Sequence, residues 1–160
     1  MGGPRIDWIK LTASIAVCQM AGVIGSAFTI PHITSWYNFL NKPAFAPSGS
    51  VIGVVWLVLY TLMGIAFYLV WTKDFKRREV KGAMDSFGVQ LILNVVWSFL
   101  FFCLRSPLYG LVGIIALWLA IAYTMLRFWK VSKTATYLLV PYILWVTFAG
   151  YLNLLIWQMN

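Results

Sequence analysis

Charged residues are missing from five long stretches of this chain, and that absence constrains the fold more than any other feature. No Asp, Glu, Lys or Arg lies between Lys10 and Lys42, Lys42 and Lys73, Asp85 and Arg105, Arg105 and Arg127, or after Lys133. Each gap holds at least about 19 residues, and at about 1.5 Å per residue a helix of that length crosses a hydrocarbon core of about 30 Å. The 160 residues are 62% hydrophobic and only 10% charged. A soluble domain of this size normally carries roughly a quarter charged residues, and it buries only about 70% of the surface its unfolded chain exposes. The chain therefore reads as an all-α integral membrane protein, one domain of five transmembrane helices.

The apolar runs place these helices at about 9–30, 49–71, 84–104, 108–129 and 135–158, with an outer loop over 31–48. The runs are continuous, whereas the strands of a membrane barrel alternate over about 10 residues. The first run is about 20 residues long, Asp7 interrupts its basic lead and no clean small-x-small cleavage site precedes Pro31, so a retained helix is expected and not a cleaved signal peptide.

The net charge of +8 would suggest a nucleic-acid face in a soluble domain, but its placement argues for topology instead. Arg5, Lys10, Lys73, Lys76, Arg77, Arg78, Lys81, Arg127, Lys130 and Lys133 fall on one side of the predicted bundle; Lys42 and Arg105 fall on the other. Positive-inside bias then puts the N-terminus in the cytoplasm and the C-terminus outside, in a prokaryotic cytoplasmic membrane, with anionic lipid and not nucleic acid as the partner of the basic side. Trp8, Trp71, Trp129 and Trp157 fall at predicted helix ends, where indoles favour the headgroup layer. Trp118, at mid-depth in the fourth helix, acquires no role from the sequence.

The 31–48 loop is long and aromatic, which suits a lid. Pro43 and Pro47 stiffen it, and Ser48 or Ser50 can cap the second helix. Within that helix Trp56, Tyr60, Met63, Gly64, Phe67 and Trp71 recur at three- and four-residue steps and share a face. Such a stripe also serves ordinary bundle packing. Counted from the outer helix ends, Trp56 lies about 10 Å deep, Trp97 about 12 Å, Asn94 about 16 Å and Trp145 about 20 Å. With Trp36 they point to one pocket beneath the loop, suited to a large, flat, hydrophobic ligand. Asn94 and Asn153 serve either helix-to-helix hydrogen bonds or ligand contact, and Gln19 and Gln90 read as bundle glue. Pro141 is expected to kink the fifth helix just before Trp145.

Three blocks carry a family resemblance: Trp36-Tyr37-Asn38-Phe39-Leu40-Asn41-Lys42-Pro43-Ala44-Phe45-Ala46-Pro47; Leu93-Asn94-Val95-Val96-Trp97-Ser98-Phe99-Leu100-Phe101-Phe102; and Pro141-Tyr142 with Trp145, Phe148-Ala149 and Leu152-Asn153. Over roughly residues 30–158 the chain resembles the translocator protein family, also called tryptophan-rich sensory proteins. The resemblance implies a five-helix bundle, often dimeric, that binds tetrapyrroles such as protoporphyrin IX or haem and acts as receptor or carrier. It places Trp56 and Trp145 as pocket tryptophans, with Tyr37, Asn94, Trp97, Ser98, Phe148 and Ala149 around them. Some bacterial members are credited with light-dependent breakdown of protoporphyrin IX, which would make Trp56 and Trp145 the reactive pair. Animal members also bind cholesterol through a Tyr followed by a basic residue late in the fifth helix. This chain has Leu154-Leu155-Ile156-Trp157-Gln158 there, which argues against sterol transport. Ser48 stands where many members have a further proline.

The absences narrow the chemistry. No carboxylate or lysine lies deep in a predicted helix, His32 stands alone in the outer loop, and Cys18 and Cys103 sit in different apolar helices. Neither a metal site nor a Cys-His nucleophile is expected, and no cofactor is required. Photochemistry on a bound pigment stays open, because the pigment supplies the reactivity. A structural or regulatory membrane partner without a ligand is the remaining alternative. A homodimer is expected through Gly82, Ser86, Gly88 and Gln90 of helix three, with Gly22 and Ser26 of helix one as a competing small-residue pair.

Overall fold

A computed structural model describes residues 6–160, so Arg5 lies outside the described residues. Asp7 opens the first helix, α1 (Trp8–Ile33), its carboxylate accepting the Lys10 N–H at 3.1 Å. α2 (Gly49–Trp71) and α4 (Pro107–Trp129) follow the predicted ranges closely. Ser106 accepts the Tyr109 N–H at 3.2 Å, and Pro107, which has no N–H to leave unpaired, fits the first turn of α4. Ser48 precedes α2 without capping it; its hydroxyl lies 3.1 Å from that of Ser50.

Two helices outrun their apolar stretches. α1 continues through Pro31 and His32, so His32 belongs to a helix end and not to the loop. Side chains take up the carbonyls there: His32 Nδ1 donates to Phe28 O at 2.8 Å and Ser35 Oγ to Pro31 O at 2.9 Å. α3 (Arg78–Ser98) starts well before residue 84, because its first turn is charged and hydropathy marks only the part inside the bilayer. At its other end α3 passes into a π-helical turn, Phe99–Cys103, with the Leu104 N–H donating to Phe99 O at 3.2 Å, five residues back. Arg105 follows in the left-handed region at φ 49°.

The fifth span differs from the kinked helix expected. It is two helices, α5 (Lys133–Leu138) and α6 (Val140–Met159), broken at Leu139. Pro141 sits in the first turn of α6 and does not bend a continuous helix. Its ring supplies no N–H to Tyr137 O and clashes with the carbonyl a turn back, so the chain stops one helix and starts another.

Five spans long and apolar enough to cross a membrane result, the fifth formed by α5 and α6 together. Among the described residues there are no strands. α1 packs on α2, α3 on α4, and α4 on α6. Gly64 permits the first contact: a Cβ there would lie 2.6 Å from the backbone Cα of Ile15. The outward surface is apolar, with Val17, Met20, Val54, Val89, Ile92, Leu119 and Leu144 all exposed, as a lipid-facing surface must be. Trp8, Trp129 and Trp157 are exposed at helix ends, and Lys10 and Lys133 sit over the rings of Trp71 and Trp129 at 5.8 and 5.2 Å. Trp118 also has a role, donating from Nε1 to Thr147 Oγ1 at 2.8 Å and tying α4 to α6.

The small residues of α3 serve the bundle itself. Arg127 covers Gly82, and Ser86 O accepts the Thr124 hydroxyl at 3.0 Å, so both are spent on the α3–α4 contact. Gly88 has open space where a side chain would be. Gly22 meets the Tyr60 ring, which takes it away from the competing pair proposed for helix one.

Candidate functional site

A cavity of about 470 Å³ lies between α1, α2, α3 and α6 beneath the loop between α1 and α2. α2 contributes Trp56 and Tyr60, α3 contributes Asn94, Trp97 and Ser98, and α6 contributes Trp145, Phe148 and Ala149; Tyr37 descends from the loop. Nine of the ten residues singled out from the sequence therefore line one space. Trp36 is the exception. It stands outside the lining, edge-on to Phe101 with ring centroids 5.4 Å apart. The reason is local: Trp36 precedes a single 3₁₀ turn, Tyr37–Phe39, which sends Tyr37 toward the cavity and leaves Trp36 on the cluster behind it.

The walls are held by a hydrogen-bond chain. Tyr60 Oη donates to Asn94 Oδ1 at 2.5 Å, Asn94 Nδ2 donates to Tyr142 Oη at 2.9 Å, and Tyr142 Oη donates to Gln90 Oε1 at 2.9 Å. Asn94 is thus the joint of α2, α3 and α6 as well as a lining residue. Trp56 stacks on the Tyr60 ring at 5.5 Å and meets Tyr142 edge-on at 6.3 Å, so the same chain positions the indole. Asn153, also on the lining, donates from Nδ2 to Pro107 O at 2.7 Å, and Gln19 donates from Nε2 to Leu57 O and Thr61 Oγ1, both at 3.0 Å. Gln19, Gln90, Asn94 and Asn153 thus all make interhelical bonds, although Gln90 Nε2 and Asn153 Oδ1 are themselves buried without a partner. The indole N–H groups of Trp97 and Trp145 are buried without a partner.

The loop is braced from within. Lys42 Nζ donates to Tyr37 O at 2.7 Å and Leu40 O at 3.3 Å, and lies 4.6 Å from the centre of the Tyr37 ring. Loss of water around Lys42 lowers its pKa from the usual lysine value, and burial raises that of Tyr37.

The α1 wall was not legible as site. Gly22, Gly25, Ser26 and Thr29 line the cavity opposite the aromatics. A Cβ on Gly22 would fall 2.6 Å from the Tyr60 ring, and one on Gly25 would fall 3.2 Å from Ser98 Oγ. The signal was the cluster of small residues itself, a helix face that other side chains approach closely. Phe101 and Phe102 also line the cavity, from the π turn. Cys18 and Cys103 are free thiols. No Asp, Glu, Lys, Arg or His is among the lining residues described, so what the walls offer is apolar contact, stacking faces and isolated hydrogen-bonding groups and not charge.

Fold and cavity together define a class: a five-span integral membrane protein with an aromatic-walled chamber roofed by its first connecting loop. Within that class the chain belongs to the TspO/MBR family, whose model matches residues 14–158. It is 44% identical over 153 residues to the Tryptophan-rich protein TspO of Chlorobaculum tepidum, covering 95% of this chain and 96% of that protein. The Tryptophan-rich protein TspO of Archaeoglobus fulgidus is 42% identical over 95% of this chain and 97% of its own length. The Translocator protein of Bos taurus is 31% identical over 96% and 91%.

Proposed function

We propose that the protein is a receptor or carrier for porphyrin-type tetrapyrroles, held in the chamber beneath the first loop. The observation that carries this reading is the convergence of Trp56, Trp97, Trp145, Tyr37 and Phe148 on one uncharged cavity of about 470 Å³. That size falls within the range of about 300–1,000 Å³ usual for small-molecule sites, and aromatic walls suit a broad, flat π-system. With the basic helix ends in the cytoplasm, the chamber opens toward the outer leaflet. A homodimer through α3 would use the exposed apolar face of Val89, Ile92 and Val96, beside the unfilled Gly88.

Titration of the purified protein with protoporphyrin IX and with haem, read by quenching of tryptophan fluorescence, tests the reading. Binding near the micromolar level, about −8 kcal/mol, and a loss of roughly tenfold in Trp56→Ala, where the stacking face is removed, are expected. No quenching by either ligand, or quenching indifferent to Trp56→Ala, would move the assignment to a structural membrane partner.

Trp56 and Trp145 both line the chamber, which favours a second reading, tryptophan-dependent photodegradation of the bound porphyrin. Under illumination the Soret band would then fade in the wild type and persist in Trp145→Phe. Fading at the same rate in that variant refutes a role for this indole.

A further inference from the structure

Asn160 and Asn41 are joined more tightly than a surface pair requires. The Asn41 N–H donates to Asn160 Oδ1 at 2.9 Å, and Asn160 Nδ2 donates back to Asn41 O at 3.0 Å, so one side-chain amide engages both backbone groups of a loop residue. Asn41 Nδ2 adds a bond to Met159 O at 3.2 Å, and Asn160 Nδ2 is itself fixed to α6 by Ile156 O at 2.8 Å. The two residues are more than a hundred positions apart in sequence, and these bonds connect the roof of the chamber to the end of α6.

What happens at Asn41 is transmitted to the chamber. The Lys42 ammonium binds the carbonyls of Tyr37 and Leu40, and Leu40 N–H closes on Tyr37 O at 3.3 Å, so residues 37–42 form one braced unit. Tyr37 and Asn38, within that unit, line the cavity, while Ile156, one turn below the latch, lines it from α6. Beneath the polar bonds Tyr37, Leu40 and Ala46 rest on Phe101, Phe102, Leu152 and Ile156. The apolar layer gives the loop its seat. The amide bonds lie at the exposed rim, where water can replace them, so breaking them costs little.

We infer that the reciprocal Asn41–Asn160 amide pair is a latch that holds the roof of the chamber shut and sets the rate at which ligand enters and leaves. The latch acts on exchange, so association and dissociation accelerate together when it is cut and the equilibrium affinity stays nearly constant. This exchange step rests on the ligand-binding reading above; closure of the roof does not, and can be measured with no ligand present.

Two measurements on the full-length protein in lipid nanodiscs decide it. Amide hydrogen exchange in the ligand-free protein should be roughly tenfold faster over residues 37–42 in Asn160→Ala than in wild type, as loss of exposed bonds of modest net strength allows. Amides in the middle of α2 and α6 should be unchanged. Stopped-flow quenching with protoporphyrin IX should show both rate constants raised by a similar factor, with Kd within about threefold. Oxidation of Asn41→Cys/Asn160→Cys to a disulfide should slow both, and reduction should restore them. Unchanged exchange over 37–42 overturns the latch outright. Faster loop exchange with unaltered ligand kinetics overturns its gating role and sends the ligand through the helix walls. A dissociation rate raised alone would make Asn160 part of the bound-state contact and not a gate. Absence of any porphyrin binding defeats the functional reading instead, and the hydrogen-exchange comparison then judges the closed roof alone.

Discussion

Replacing Asn94 by Leu, a side chain of similar size with no polar atoms, cuts the joint of three helices. Two buried bonds vanish at once: the Tyr60 hydroxyl loses its acceptor at 2.5 Å, and Tyr142 Oη loses a donor at 2.9 Å while keeping its own bond to Gln90. Within a bilayer such bonds are worth about 0.6 kcal/mol on average and about 1.7 at most, so the loss falls between about 1 and 3 kcal/mol. The pairwise part can be isolated. Tyr60→Phe in the wild type breaks a bond and strands Asn94 Oδ1; in the Asn94→Leu background it removes a hydroxyl that already lacks an acceptor, and is neutral or stabilising. A double-mutant cycle, read by unfolding in mixed detergent micelles, should therefore give a coupling of at least about 0.6 kcal/mol. Additivity of the two changes to within about 0.3 kcal/mol would refute the claim that Asn94 joins α2 to α3 through Tyr60.

Other expectations concern backbone positions. Gly64→Ala should lower the melting temperature in detergent, since its Cβ would meet the Ile15 backbone, which cannot rotate away; overpacking of this kind costs about 1–3 kcal/mol. Gly88→Ala, with open space around it, should be neutral or stabilising by up to about 1 kcal/mol, and equal shifts in the two variants would contradict the packing described. Arg105→Gly should raise thermal stability by about 1 kcal/mol, because glycine adopts the left-handed conformation without the side-chain clash; a lower melting temperature would mean that the arginine side chain contributes more than its backbone position loses.

The spans were legible because charge is excluded from hydrocarbon, and the boundaries were legible only where helix and membrane end together. α2 and α4 stop at polar or proline-containing turns and were read within a residue. α1 and α3 carry helix into the headgroup region through His32 and through Arg78–Lys81, and no hydropathy signal marks an end outside the apolar core. The aromatic half of the chamber could be read because Trp56, Trp97 and Trp145 fall at neighbouring depths in three helices and within or beside the blocks that carry the family resemblance. The α1 half could not: Gly22, Gly25 and Ser26 act by leaving space, and the same residues equally describe a close helix contact. Trp36 was counted with the pocket from its place in the loop above it, and a loop position does not fix the direction of a side chain, which here is set by the 3₁₀ turn that follows.

The upper half of the chamber depends on a backbone irregularity that composition does not record. Consecutive residues of an α-helix point about 100° apart, so Phe101 and Phe102 would ordinarily face different neighbours. In the π turn both are buried, 3% and 8% exposed, with their rings 4.9 Å apart. Phe101 then receives Trp36 at 5.4 Å and Trp97 at 5.8 Å, and Phe102 receives Tyr37 at 5.7 Å. One extra residue in the turn thus converts the end of α3 from a helix stripe into a two-ring platform on which the roof rests. The break at Leu139 does related work below, starting α6 afresh so that Tyr142 reaches Asn94 while Trp145 and Phe148 line the cavity. Pro141 announces the second distortion in the sequence, whereas the apolar run Phe99–Cys103 carries no mark of the first. The site is therefore specified twice, by tryptophans that the sequence displays and by helix defects of which the sequence displays one, at Pro141, and the packed backbone alone reveals the other, the π turn.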